Sequence, residues 1–296
     1  MKPAAFSYHR PQQLSEALAL LAQLQDARVL AGGQSLVPLL NARGATPAHV
    51  VDINRLAELD FVRESPEGVA IGALTRQRTL EFSPLVAQRL PLLAAAVRRV
   101  GHRQTRNRGT LGGSLAHLDP AAELALVAVM HESVLRLSSA AGPREVPMVD
   151  FAVAAHVTAC KPGELLTQVV MRPWQVAHGF GFHEFTRRHA DWPIASAAVL
   201  MELDAEGRIA RIAMGLGGVE GIPRRRTAGE QLLAGQQPAA ELFAAAAGQV
   251  DDLHPLEDVS APAWYRLELA QVLMRRALAD AARRAQANAA PLKVQA

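Results

Sequence analysis

Apolar and polar positions along the chain change rhythm several times, and each change marks an element. In residues 12–25, Leu14, Ala17, Leu18, Leu21 and Leu24 recur three and four apart, which predicts a helix with Ser15 as a capping candidate. Residues 28–31 then read as a short buried strand stopped by Gly32-Gly33, residues 35–41 as a compact turn, and residues 50–53 as a second strand. A strand follows over 68–73, and Thr75 and Thr79 flank the start of a helix. Residues 85–100 predict one strong helix, 103–108 a basic polar stretch, and 121–130 another helix. Residues 133–137 and 165–171 read as strands by alternation or β-branching. Arg172-Pro173-Trp174 then marks a domain boundary.

Beyond that boundary, residues 196–203 and 209–216 form the clearest hairpin, turned at Asp204-Ala205-Glu206-Gly207. Two alanine-rich helices follow, over 239–249 and 265–286, and the tail after Asn288 is expected to fray. The fold class is therefore α+β. A larger domain spans 1–174, with subdomains of about 1–56 and 57–174. A smaller β-sheet-plus-helices domain spans 175–288, and 289–296 is a tail.

Composition narrows the function without naming it. The 296 residues are 50% hydrophobic and 20% charged, ordinary for a globular chain with a sizeable core. A net charge of +3 and an aromatic fraction of 4% argue against nucleic acid as a partner. The longest apolar runs, 90–97 and 124–130, are too short to span a membrane. No signal-peptide core opens the chain, so a cytoplasmic location is expected. Cys160 is the only cysteine, which excludes an internal disulfide, an iron–sulfur cluster and a cysteine-based zinc site. The ten histidines show no metal-ligand spacing, so no metal site is expected.

Two glycine-rich loops carry the candidate chemistry, Ala31-Gly32-Gly33-Gln34-Ser35-Leu36 and Thr110-Leu111-Gly112-Gly113-Ser114. Glycine lets successive backbone N–H groups close on an anion, and a neighbouring hydroxyl can complete a phosphate nest. Neither loop is a Walker motif or a G-x-G-x-x-G fingerprint, and each taken alone also reads as an ordinary tight turn. No nucleophile–base arrangement accompanies them, and Arg224-Arg225-Arg226 reads as a solvated face.

Three ordered motifs give the loops a context. The segment Ala31-Gly32-Gly33-Gln34-Ser35-Leu36-Val37-Pro38 comes first. Arg106-Asn107-Arg108-Gly109-Thr110-Leu111-Gly112-Gly113-Ser114 is followed by His117-x-Asp119-Pro120-Ala121-Ala122-Glu123-Leu124. Together they resemble the FAD-binding medium subunit of carbon monoxide dehydrogenase-type molybdenum hydroxylases and the flavin domain of xanthine dehydrogenase. Phe185-Thr186-Arg187-Arg188-x-x-Asp191-Trp192-x-Ile194-Ala195 and Gly215-Leu216-Gly217-Gly218-Val219 look like that family's C-terminal domain, so the likeness runs the length of the chain.

The resemblance implies a two-part FAD-binding domain of the vanillyl-alcohol oxidase/PCMH type and a role for each matching position. Val29, Leu30, Ala31 and Leu36 would flank the FAD pyrophosphate, with backbone donors from Gly32, Gly33, Gln34 and Ser35. Thr110, Leu111, Gly112, Gly113 and Ser114 would form the second loop, and Val100 would pack against the cofactor. Glu123 would accept from ribose hydroxyls, a task that suits a carboxylate; it also reads as a charge favouring a helix N-terminus. The Leu165 backbone would recognise adenine. His183 stands where xanthine dehydrogenase-type relatives often have lysine; it can donate to a flavin oxygen, but a surface histidine is an equal reading. Asp191 and Trp192 would lie near the isoalloxazine, with a core role the alternative for Trp192.

No residue of this chain is expected to act as a catalytic acid, base or nucleophile. The resemblance implies an electron-transfer subunit whose FAD receives electrons from [2Fe-2S] clusters on a small partner and passes them to NAD, a quinone, dioxygen or another carrier. Molybdopterin would sit on a large partner, in a dimer of heterotrimers. Two rivals stand beside this reading. One is a self-sufficient flavin oxidase or dehydrogenase of the same fold, for which no acid/base set is evident; the other is a flavin-free assembly or binding protein.

Overall fold

The computed structural model describes residues 2–289; Met1 and residues 290–296, which hold most of the expected tail, lie outside it. Three hydrophobic cores organise the chain. The first is a parallel three-stranded sheet, Ser7–His9, His49–Asp52 and Ala27–Leu30 in that spatial order, packed on helix Leu14–Gln23. Parallel neighbours need a crossover, and the helices Leu14–Gln23 and Leu36–Ala42 supply the two connections. Residues 35–41 therefore form a helical turn and not an irregular one. Pro38 is tolerated because it sits in the first turn, where no N–H partner exists.

The second core lies on an antiparallel sheet ordered Val62–Ser65, Gly68–Gly72, Leu165–Met171, Val134–Ser139, Gly142–Pro147. Helices cover it. The single helix expected over 85–100 is two, Pro84–Arg89 and Pro91–Val97, because Pro91 removes a donor and Leu90 leaves helical geometry at φ −133°. The basic stretch is itself helical, Arg103–Arg108, and the second glycine loop opens helix Leu111–His117. Helix Glu123–Met130 has every residue buried.

A third layer is the antiparallel sheet Gly179–Phe185, Ala195–Leu203, Ile209–Gly217 and Arg224–Arg225. The predicted hairpin is there, with Ala195–Leu203 buried almost throughout. Its two faces serve different cores, as side-chain alternation requires. Ala195, Ala197, Val199 and Met201 face the long helix Ala263–Ala289, and Ala198 and Leu200 join the core that holds helix Glu123–Met130. The division near residue 174 thus crosses a continuous core. Among the described residues no helix is long and apolar enough to cross a membrane.

Two glycines allow the long helix to dock. A Cβ on Gly179 would strike the Ala281 carbonyl, and one on Gly181 would strike the Ala277 carbonyl. The side of this strand toward the helix is thus backbone against backbone. Gly181→Val should cost about 2–3 kcal/mol through overpacking. Thermal melting reads it, and an unchanged melting temperature would show that the helix does not depend on this approach.

Candidate functional site

The two glycine loops lie against each other. A Cβ on Gly32 would collide with the Arg108 carbonyl, and the ideal Cβ of Gly113 lies 3.8 Å from that of Ala31. Gly32 is therefore glycine because a second backbone occupies its side-chain position. Gly33 adopts φ +74°, a conformation that favours glycine.

A polar network clamps the loops together. The Arg76 guanidinium donates to the Arg108 carbonyl at 2.6 Å and to Asn54 Oδ1 at 2.7 Å. Asn54 Nδ2 donates to the Ala31 carbonyl at 2.7 Å and to Asp52 Oδ1 at 2.6 Å. The Tyr8 hydroxyl closes the chain on Asp52 Oδ2 at 2.5 Å. Burial pushes Asp52 up, but the bonds from Tyr8 and Asn54 outweigh it and hold the carboxyl below its usual range. Sequence reading missed Tyr8, Asp52, Asn54 and Arg76. They sit outside any glycine motif, and only the packing of strand ends places them together.

The loops differ in what they offer a ligand. Among the described residues, the N–H groups of Gly32, Gly33, Gln34 and Ser35 have no acceptor, and with Arg108 these glycines and Gln34 line a pocket of about 330 Å³. Four successive N–H groups without an acceptor, in a pocket that Arg108 also lines, form a candidate anion cradle. In the second loop the donors are engaged. Leu111 N donates to the Thr75 carbonyl, Gly112 N to Ala73, Gly113 N to Thr110 Oγ1 at 3.0 Å, and Ser114 N to the Thr110 carbonyl. Gly112 is packed so that a Cβ would meet that of Ala73 at 2.5 Å. What this loop presents is a bare surface and the Ser114 hydroxyl.

Helix Arg103–Arg108 connects this pocket to a larger cleft of about 710 Å³, because Arg108 lines the first and Arg103 and Arg106 line the second. Arg106 pairs with Glu81 at 2.9 Å and donates to the Val100 and Gly101 carbonyls, fixing the backbone beside Val100. Val100 is half-buried against the second core. His183 also lines the cleft, but its Nε2 lies 3.3 Å from Asp280 Oδ2 on the long helix. Val29 packs against the first core with Ala31, and Leu30 lines the smaller pocket; Leu36 opens its helix. Leu165 is buried in the first core, which leaves its backbone as the part able to meet a ligand. Trp192 is 57% exposed, so the core alternative for it is excluded. Asp191 Oδ1 accepts from the Trp192 N–H at 3.0 Å.

Glu123 is only 5% exposed, at the first position of its helix, and no cation reaches it. Desolvation dominates and, with Glu184 and Asp119 nearby, pushes its carboxyl up to about 8. It is not the ionised, solvated charge that the helix-terminus reading required. His117, Asp119 and His156 bring ligand atoms within 4.8 Å of one another beside it, a grouping that sequence spacing did not suggest. His156 Nδ1 lies 3.1 Å from the His117 carbonyl oxygen.

Paired loops, an anion cradle and an adjoining cleft between helix Arg103–Arg108 and strand Gly179–Phe185 suit a protein that binds a nucleotide cofactor. Residues 4–173 match the family described as the FAD binding domain in molybdopterin dehydrogenase, and 180–281 the CO dehydrogenase flavoprotein C-terminal domain. The chain is 40% identical to the 6-hydroxypseudooxynicotine dehydrogenase complex subunit alpha of Paenarthrobacter nicotinovorans, covering 96% of this chain and 97% of that one. It is 35% identical to the carbon monoxide dehydrogenase medium chain of Hydrogenophaga pseudoflava, covering 94% and 97%. A solved carbon monoxide dehydrogenase from that organism, lacking the Mo-pyranopterin moiety, superposes with a TM-score of 0.93 at 36% identity over 96% of this chain and 99% of that one. Quinoline 2-oxidoreductase from Pseudomonas putida 86 gives 0.92 at 33% identity, covering 96% and 99%. The chain belongs to the family of FAD-binding medium subunits of molybdenum hydroxylases. It is an oxidoreductase subunit, and its cofactor is FAD.

Two tests follow from this geometry. Asn54→Ala removes the joint between the loops and should weaken FAD binding by about 1–3 kcal/mol while the fold persists. Equilibrium titration of apoprotein with FAD, beside circular dichroism, measures this; an unaltered dissociation constant would show that the clamp does not shape the cradle. The second concerns Glu123, whose carboxyl stays protonated in the folded chain while the unfolded one ionises. The unfolded state then binds fewer protons, so apoprotein stability should fall as pH rises from about 4.5 to about 8 and level off above. Denaturant melts of wild type and Glu123→Gln across that range decide it, because the variant should show the shallower decline.

Proposed function

We propose that this chain is the electron-transfer subunit of a cytoplasmic molybdenum hydroxylase complex, taking electrons from [2Fe-2S] clusters of a small partner and delivering them to an external acceptor. The observation that carries the reading is the run of four N–H groups without an acceptor among the described residues, over Gly32, Gly33, Gln34 and Ser35, the first three of which line a pocket with Arg108. They suit the pyrophosphate of FAD, and the glycines leave it room to approach the backbone. In this reading Ser114 adds a hydroxyl, Thr110, Leu111, Gly112 and Gly113 form the wall, and Leu165 meets adenine through its backbone. Glu123 meets the ribose, where a neutral carboxyl can both donate and accept. His183 lines the larger cleft, which takes the flavin ring; Val100 adjoins its lining residue Gly101, and Asp191 and Trp192 follow its lining residue Ala190.

When bound, FAD accepts and releases electrons, and the protein's part is to hold, orient and tune it. Arg76 and Asn54 keep the loops at a fixed separation. Arg106 sets the turn against which the ring would pack. No metal-ligating cysteine set exists in the chain, since Cys160 stands alone, and burial pushes its thiol up to about 11, away from the reactive thiolate. A large molybdopterin-bearing partner therefore oxidises the substrate, in a dimer of heterotrimers. Relatives named for carbon monoxide, quinoline and a nicotine derivative share this architecture over nearly their whole length, so substrate choice lies outside this chain.

The isolated subunit should bind FAD and yet fail to oxidise the organic substrate of its complex. Anaerobic stopped-flow absorbance on the FAD-loaded chain, with and without both partners, tests the division of labour. Rapid bleaching of the flavin by that substrate in the lone subunit would mean a complete oxidoreductase and end this proposal.

A further inference from the structure

The seam between helix Glu123–Met130 and the third sheet carries buried polar groups. Glu184 on strand Gly179–Phe185 lies opposite Ser196 in the ladder, and Ser196 lies opposite Gly217. Residues directly opposite share a face. That face is the one turned toward helix Glu123–Met130, since a Cβ on Gly217 would lie 2.7 Å from Ser196 Oγ and 3.5 Å from the Leu126 side chain. Glu184 Oε2 and Ser196 Oγ are both buried without any hydrogen-bond partner. Glu123, at the start of the same helix, feels the Glu184 charge. Glu184 also lines the larger cleft. His183, one residue earlier, points the opposite way, to Asp280.

An unsatisfied buried oxygen is destabilising unless something completes it. Here the row opens into the cleft assigned above to the flavin ring. A flavin ring edge is rich in acceptors, which call for a donor, and an ionised carboxylate has none. A protonated carboxyl does. Resting on the FAD reading, we propose that Glu184 is a cofactor-binding residue that donates a carboxyl hydrogen bond to the flavin ring, with Ser196 and Glu123 completing the polar row.

The charged surroundings are mixed. Arg99 favours ionisation of Glu184, desolvation opposes it and prevails, and the carboxyl is pushed up to about 7. Glu123, on the facing helix, is buried and is itself pushed up in part by the Glu184 charge. His102, Arg103 and Arg106 border the cleft from helix Arg103–Arg108 and its N-cap, and His189 from the loop beyond the strand. His183, Asp280 and Arg284 line the same cleft from the side of the long helix. FAD affinity should therefore weaken as pH rises and Glu184 gives up its proton.

The test is FAD binding to the full-length apoprotein, followed by flavin fluorescence between pH 6 and 8.5, in wild type, Glu184→Gln, Glu184→Leu and Glu123→Gln. The expected result is a wild-type dissociation constant rising about tenfold over that range. Glu184→Gln, whose amide donates at any pH, should keep the low-pH value and lose most of the rise. Glu184→Leu should bind about tenfold more weakly at pH 6 with a normal melting temperature. A Glu184→Gln profile matching wild type, or a rise abolished only by Glu123→Gln, would overturn the role of Glu184. If no form binds FAD at any pH, the cofactor reading itself fails, an outcome distinct from pH-independent binding.

Discussion

The site depends on the contact between Gly32 and the Arg108 carbonyl, because it decides how close two separate segments of backbone can come. That approach desolvates polar groups, and it persists because Arg76 and Asn54 supply their partners. The Arg76 guanidinium takes the Arg108 carbonyl and Asn54 takes that of Ala31, so one side-chain pair ties both loops. Asp52 and Tyr8 fix Asn54 in turn. Asn54 ties the Ala31 carbonyl and Gln34 that of Gly32, while the N–H groups of the first loop keep no acceptor among the described residues. The cradle is a consequence of that clamp, and the glycines alone would not produce it.

The third sheet extends the same logic to the larger cleft. Its strands are buried on both faces, so alternation divides each strand between two neighbours. Gly179, Gly181 and His183 belong to the long C-terminal helix, and Phe182, Glu184, Ser196 and Ala198 to the nucleotide-binding half. Arg266, 3% exposed, holds the far end of this arrangement. It donates to the Ile194 and Gly218 carbonyls at 2.6 and 2.7 Å, and Gly218 N donates to Pro120 at 2.7 Å. The segment carrying Asp191 and Trp192 is thereby anchored to the turn that precedes Glu123.

How much of this was legible in the sequence follows from the range of each interaction. Helix Leu14–Gln23, the hairpin of Ala195–Leu203 with Ile209–Gly217, and the long C-terminal helix were readable because local periodicity encodes them. The break at Pro91 was overlooked because apolar spacing continues through it, although proline chemistry announces it. Strands Ser7–His9, Val62–Ser65 and Gly142–Pro147 were missed; they are short and partly exposed, and pairing with distant partners makes them strands. At the site, glycine motifs located both loops, yet they could not show that one offers free donors and the other none. Position 183 was picked out by resemblance, while the residue facing the nucleotide-binding half is its neighbour, a distinction that strand register alone decides.

Several departures from ordinary packing rules lie at or beside the candidate site. Glu123 starts a fully buried helix without a side-chain cap, a conflict between local electrostatics and desolvation in which desolvation wins. Glu184 and Ser196 leave polar atoms unpaired a strand away, and four backbone donors stand free at the first loop. The cores around them are conventional, built from Leu, Val and Ala packed at zero exposure. Among the described residues Gln77, His131, Ser133, His178 and Arg266 also bury an unpaired side-chain atom, so it is the position of Glu184 on the cleft, and not its lack of a partner alone, that ties it to the site. A ligand suited to this surface accepts hydrogen bonds from the loop amides at one end and, in the role proposed for Glu184, from a carboxyl at the other. Those are the demands a dinucleotide with a flat heteroaromatic ring meets.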